Sequence, residues 1–230
     1  WIQAEAGGLH SLALTSGGYL YSWGFNEDGA LGNGTTIDSS VPGRIDSAHT
    51  YMMIAAGIQA NYAIRSDSTL WSWGFNGNNE LGVDPTIAQS EIPLQVGEEN
   101  DWILVKSGSV YGVAFKEDMS LYGWGSNLFG QLGVGEISTL IKPTRIGDDY
   151  WTQISPASGV ITAQGIFGGH TLGLKDDKSV ICAVGANYIG QLGDSTEIAR
   201  TTFACDIGEI ISSVFTNNYQ LEIKLFPNPA

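Results

Sequence analysis

His10, His49 and His170 are the chain's three imidazoles, and their spacing builds neither a metal site nor a proton relay. A helical zinc pair needs two histidines one turn apart, and H-E-x-x-H places a general base between them; neither pattern occurs. Cys182 and Cys205 are too few to enclose zinc alone. They permit one disulfide, or each can stand as a buried thiol packed like a small hydrophobe. Asn26-Glu27-Asp28-Gly29 and Asn76-Gly77-Asn78-Asn79-Glu80 gather oxygen ligands, yet they lack the alternating Asp/Asn register that wraps calcium. No G-x-S-x-G elbow, phosphate-cradling P-loop or dinucleotide fingerprint is present. The expectation is a protein that is not an enzyme, with no metal and no cofactor.

Charge narrows the partners. The net charge is −14, with ten Lys and Arg in all, so no basic patch can track a phosphate backbone and nucleic acid is not expected. An acidic surface favours a basic partner or simply keeps the chain in solution. No apolar run approaches 18 residues, so no membrane span is expected. The sequence opens on Trp1 without a Met or a signal-like segment, which reads as the interior of a processed or trimmed protein.

The elements that position these residues repeat. Trp23-Gly24-Phe25-Asn26, followed by Leu31-Gly32, returns as Trp73-Gly74-Phe75-Asn76 with Leu81-Gly82 and as Trp124-Gly125-Ser126-Asn127 with Leu132-Gly133. A weaker copy is Val184-Gly185-Ala186-Asn187 with Leu192-Gly193. The motif glycines step by 50, 51 and 60 residues, and a second marker, Trp1, Tyr51, Trp102 and Trp151, steps by 50, 51 and 49. A period near 50 means that each unit completes its neighbour's core.

Within the second unit, Met52–Ala55, Asn61–Arg65, Thr69–Trp73 and Ile92–Val96 read as short strands, and Pro93 puts the fourth at an edge. Thirty-one glycines suit tight turns. Four antiparallel strands in about fifty residues make one propeller blade. The fold class is therefore all-β: a β-propeller of four blades over 1–208 (about 1–50, 51–101, 102–150 and 151–208), followed by a linker over 209–230. The fourth unit carries 11 extra residues near 155–165, which must form a loop on one rim and serve as a recognition element or as neutral decoration.

Gly7-Gly8-Leu9-His10-Ser11-Leu12-Ala13-Leu14, Gly168-Gly169-His170-Thr171-Leu172-Gly173-Leu174 and the Gly-Gln-Leu-Gly runs at 130–133 and 190–193 resemble the regulator-of-chromosome-condensation family. That resemblance implies blades cut for a seven-bladed propeller, of which this chain holds four. Its further blades, a partner or a second copy would cover the open ends. The family includes guanine-nucleotide exchange factors and secreted inhibitors of hydrolases. The chain departs from the pattern at Ala60 and Tyr111, where histidine is expected. Leu225-Phe226-Pro227-Asn228-Pro229-Ala230 is similar to the opening of a type IX secretion sorting domain of Bacteroidetes, and it reads equally as a proline-containing tail.

Trp23, Trp73 and Trp124 occupy one repeated slot, which signals packing between blades rather than a ligand cage. Leu128-Phe129 and Tyr188-Ile189 differ: they place apolar side chains near an apex that elsewhere holds Glu27-Asp28 and Asn78-Asn79. They are the candidate contacts for a protein or cell-surface ligand. The expectation is a secreted or cell-surface propeller acting as a non-enzymatic interaction module. The alternatives are a nucleotide-exchange regulator and an inhibitor of a secreted hydrolase.

Overall fold

The computed structural model describes residues 1–157, 160–162, 165–167, 169–175 and 180–205, and no helix occurs among them. The first sheet is β1 (Gln3–Ala6), β2 (His10–Leu14), β3 (Leu20–Gly24) and β4 (Ser39–Ile45), paired in chain order and antiparallel throughout. The second repeats it with β5 (Tyr51–Ala56), β6 (Ala60–Arg65), β7 (Leu70–Phe75) and β8 (Gln89–Gln95). Pro93 lies in β8 and Pro42 in β4, the outermost strand of each sheet, where a missing N–H leaves no gap in the ladder. The fourth strand of the second unit begins earlier than Ile92, because Gln89 and Ser90 already pair with Phe75 and Gly74.

The last two blades are fused. After β9 (Trp102–Ser107), β10 (Tyr111–Lys116) and β11 (Ser120–Gly125), the strand β12 runs unbroken over Leu140–Pro156. Its first part pairs with β11 and its second with β15 (His170–Lys175), which continues to β16 (Val180–Gly185) and β17 (Arg200–Ala204) in one seven-stranded sheet. Ile146 to Trp151 is one residue shorter than Ile45 to Tyr51 or Val96 to Trp102, and the pairing carries across it with a bulge opposite Ser120 and Tyr122, where Gly147 takes a φ of +62°. The extra residues of the fourth unit are not a plain loop. Val160–Thr162 (β13) and Gly165–Phe167 (β14) pair as a small hairpin between the blade's first two strands.

Each pair of neighbouring blades shares a core. Leu12, Leu14, Leu20 and Ile45 of the first pack on Tyr51, Ile54, Ala63 and Trp73 of the second. Tyr62, Ile64, Leu70 and Val96 meet Trp102, Val105, Ala114 and Trp124. Val113, Phe115, Leu121 and Ile146 meet Trp151 and Ile154. Trp1 heads the series Trp1, Tyr51, Trp102 and Trp151; the other three are buried, whereas Trp1 is 71% exposed, and no other blade among the described residues covers it. At the opposite end Leu172 and Leu174 are half-buried and Ile181 is 39% exposed, although their counterparts Leu12, Leu14 and Leu20 are fully buried.

Cys182 and Cys205 form a disulfide, which settles the choice left open by the sequence. It stands where Tyr21 faces Arg44, Trp71 faces Gln95 and Tyr122 faces Arg145 in the other blades. The bond ties the outermost strand β17 to β16 across a separation of 23 residues. Closing a loop of that size stabilises a fold by about 3 kcal/mol. The double variant Cys182→Ser/Cys205→Ser should lose about that much, with the amides of β17 exchanging first. Unchanged exchange in β17 would show that its ladder alone holds the strand.

Candidate functional site

The repeated motif builds one rim of the arc, made of the loops between first and second strands and between third and fourth strands. Gly24, Gly74, Gly125 and Gly185 have φ of +113°, +101°, +92° and +109°, a left-handed backbone that side chains disfavour. A Cβ there would also press on the carbonyl oxygen of Leu9, Gln59, Val110 or Gly169 in the adjoining loop. The motif asparagines are buried and fold the long loop around themselves. Asn26 Oδ1 accepts from Leu31 N at 2.8 Å while Nδ2 donates to Thr35 O at 2.8 Å. Asn76, Asn127 and Asn187 accept likewise from Leu81, Leu132 and Leu192, and donate to Ile87 O, Glu136 O and Thr196 O. These amides are spent on loop backbone. Among the described residues no group of three His, Cys, Asp or Glu could hold a metal ion.

The tryptophans of the motif reach across blades. Trp73 Nε1 donates to Ala30 O at 3.0 Å, and Asn61 Nδ2 reaches the same oxygen at 2.9 Å. Trp124 Nε1 donates to Glu80 O at 2.9 Å, an oxygen also bound by the Tyr62 hydroxyl at 2.6 Å. Thr171 Oγ1 donates to Gln131 O at 2.8 Å where the fourth blade lacks the tryptophan. One carbonyl at a fixed loop position thus brackets each blade to the next. Trp23 meets no such carbonyl among the described residues and is half-buried. His10 Nε2 bonds Asn61 Oδ1 at 2.7 Å, and burial lowers its pKa, so it serves as a neutral link between the first two blades.

Leu128 and Tyr188 are 60% and 57% exposed and Ile189 is 87% exposed, all on the rim. Phe129 is half-buried and meets the Tyr188 ring edge-on, with centroids 6.3 Å apart, so the tips of the third and fourth blades form one apolar ridge. Beside the ridge is a cavity of about 240 Å³ lined by Asn78, Tyr111, Ser126, Leu128, Phe129 and Gln131. A second opening, lined by Leu9, Phe25, Ile58 and Gln59, lies on the same rim between the first two blades; the exposed Leu9 was not singled out from the sequence.

Glu80 is the odd member of its slot. Gln131 Oε1 accepts from Phe129 N at 3.0 Å while Nε2 donates to Ser126 O at 2.9 Å. Glu80 accepts from Asn78 N at 2.6 Å but has no amide donor, and burial pushes its carboxyl above the ordinary range. The folded chain therefore binds a proton here more readily than the unfolded chain, and stability falls as pH rises past the usual carboxylate value of 4.5. Glu80→Gln should raise stability by about 1 kcal/mol at neutral pH, with the gain shrinking as pH falls toward that value. A gain that did not vary with pH would rule out the charge as its cause.

The opposite rim takes up cations. Arg65 lies 3.3 Å over the Trp71 ring and 2.7 Å from Asp46. Lys116 stands between Trp102 and Tyr122 and 3.1 Å from Asp101, and Lys175 is 2.6 Å from Asp149 and 5.3 Å over Trp151. Burial works against the charge on Asp46, but the Tyr51 hydroxyl, His49 and Arg65 outweigh it and hold the carboxyl at about 2. These clasps fasten the end of each second strand to the connection that enters its blade from the preceding one.

Residues 17–64 match the regulator of chromosome condensation (RCC1) repeat, and residues 1–30 match a second description of the same repeat. The third and fourth blades continue its motif spacing, sheet order and cross-blade brackets. The regulator of chromosome condensation of Mus musculus is 35% identical over 136 residues, covering 57% of this chain and 32% of that protein. The ultraviolet-B receptor UVR8 of Arabidopsis thaliana is 32% identical over 205 residues, covering 85% of this chain and 43% of the receptor. Yeast RCC1 (Prp20), solved bound to Kap60, shares the propeller fold with a TM-score of 0.72 at 24% identity, over 89% of this chain and 48% of that one. The chain thus spans a third to a half of the length of these three relatives. Among the described residues no helix is long and apolar enough to cross a membrane.

Proposed function

We propose that this chain is a non-enzymatic interaction module that presents the rim of Leu128, Phe129, Tyr188 and Ile189 to a protein or cell-surface ligand. The observation that carries the reading is the apolar ridge at the tips of otherwise polar loops, beside a cavity that an anchoring side chain could fill. Export to the cell surface or beyond is part of the proposal. It is supported by the Cys182–Cys205 disulfide, since such bonds persist mainly in oxidising compartments, and by the sorting-like tail Leu225–Ala230, which lies outside the described residues along with the rest of 206–230. The alternative of a nucleotide-exchange regulator leans on the similarity to the mouse regulator, and that of an inhibitor of a secreted hydrolase on the resemblance alone.

The open faces at Trp1 and Ile181 call for completion, and further blades of the same kind fit them best, because each inner counterpart is buried by such a blade. A pull-down from the surface of the producing cell, with purified hydrolases offered in parallel, tests the module. A protein held by the wild-type chain and released by Leu128→Ser/Tyr188→Ser is expected. A protein held equally by both, or full-length tagged chain confined to the cytoplasm, would contradict the corresponding half of the proposal.

A further inference from the structure

The ligand-facing rim is of one sign. No Lys or Arg occurs in the described segments that topology assigns to it, 7–9, 25–38, 57–59, 76–88, 108–110, 126–139, 160–162, 165–167 and 186–199. Glu27, Asp84, Glu136 and Glu197 are exposed there. Glu136-Ile137 and Glu197-Ile198 set an acid beside an exposed isoleucine, as Ile37-Asp38 does in the first blade. Arg200, at the foot of β17, is taken up by Asp194 at 2.5 Å. Arg65, Lys116 and Lys175 are held on the far rim by Asp46, Asp101 and Asp149. These segments carry eight acids, Glu27, Asp28, Asp38, Glu80, Asp84, Glu136, Asp194 and Glu197, and no cation of their own, so the part of the net charge that lies on the binding side is negative throughout.

We propose that the partner is a basic polypeptide segment bearing an apolar or aromatic anchor. The inference rests on the reading that this rim is the binding face. The anchor fills the cavity beside Leu128, Phe129 and Tyr111, and lysines or arginines reach the acids of the neighbouring loops. A field of one sign speeds the encounter with a partner of opposite charge and repels like charge. Like-charge repulsion weighs against a second copy of this rim, a nucleic acid or an anionic lipid surface. The acids and the ridge are on different side chains, so each half of the recognition can be removed separately.

A phage-displayed library of random peptides, selected on the 230-residue chain, lets the surface choose its own ligand chemistry. Enriched peptides should carry net positive charge and an aromatic or leucine residue. Synthetic copies should weaken about tenfold with Leu128→Ser/Tyr188→Ser, and by a similar factor with Glu27→Gln/Glu136→Gln/Glu197→Gln or on moving from low to high salt. All of these positions are exposed, and an unchanged melting temperature certifies each variant. Neutral or acidic peptides that still depend on Leu128 and Tyr188 would overturn the basic partner and leave the rim as the binding face. Basic peptides that bind the tip variant undiminished would overturn the rim itself, and a selection that enriches nothing counts against both.

Discussion

Trp124→Ala should cost about 3–5 kcal/mol of unfolding free energy, the range for deleting a large aromatic side chain from a packed core. Trp124 is fully buried, sits edge-on to Tyr62 with centroids 5.3 Å apart, and donates to Glu80 O in the preceding blade. Against the roughly 5–15 kcal/mol that stabilises an ordinary domain, the loss brings the chain close to unfolding. The equivalent change at Trp23 should cost much less, about 1 kcal/mol, because burying only part of a side chain recovers only part of its transfer free energy. Urea titrations of the two variants decide the point. Equal losses at Trp23 and Trp124 would mean that the indoles stabilise their own blades rather than the junctions between them.

The second large effect concerns the ends of the arc. An apolar face of about 500 Å², at roughly 25 cal/mol per Å², is worth about 12 kcal/mol when covered. That is as much as a whole domain's stability, so the faces at Trp1 and Ile181 should drive the isolated 230-residue chain to associate. Trp1→Lys/Ile181→Lys places a charge on each face and should shift the population toward monomer in light scattering, without lowering the melting temperature. Association that persists unchanged in this variant would locate the contact elsewhere.

The sequence made the repeats legible because the same backbone problem recurs in every blade. A positive φ against a neighbouring carbonyl demands glycine at 24, 74, 125 and 185, and the loop that follows demands an asparagine to fold around. Those needs leave a fixed period. The brackets were hidden because their acceptors are main-chain oxygens of Ala30, Glu80 and Gln131, residues whose side chains have nothing in common. The cation clasps were hidden for another reason: Asp46, Asp101 and Asp149 precede Tyr51, Trp102 and Trp151 by different intervals, so no spacing announces them. The disulfide could not be chosen over two buried thiols until the register Ala183 to Ala204 brought Cys182 opposite Cys205. The tips Leu128, Phe129, Tyr188 and Ile189 were legible as apolar intrusions, but the contact of Phe129 with Tyr188 required two blades to be placed side by side.

Four blades form an arc in which each is completed by the next and, among the described residues, the two outer faces stay open. Small-angle X-ray scattering coupled to light scattering on the 230-residue chain tests it most directly. The monomer should give an open-arc profile, and the mass should rise with concentration as the outer faces find each other. A single compact, closed monomer at all concentrations would contradict it, and would mean that these blades adapt their wedge to fourfold closure.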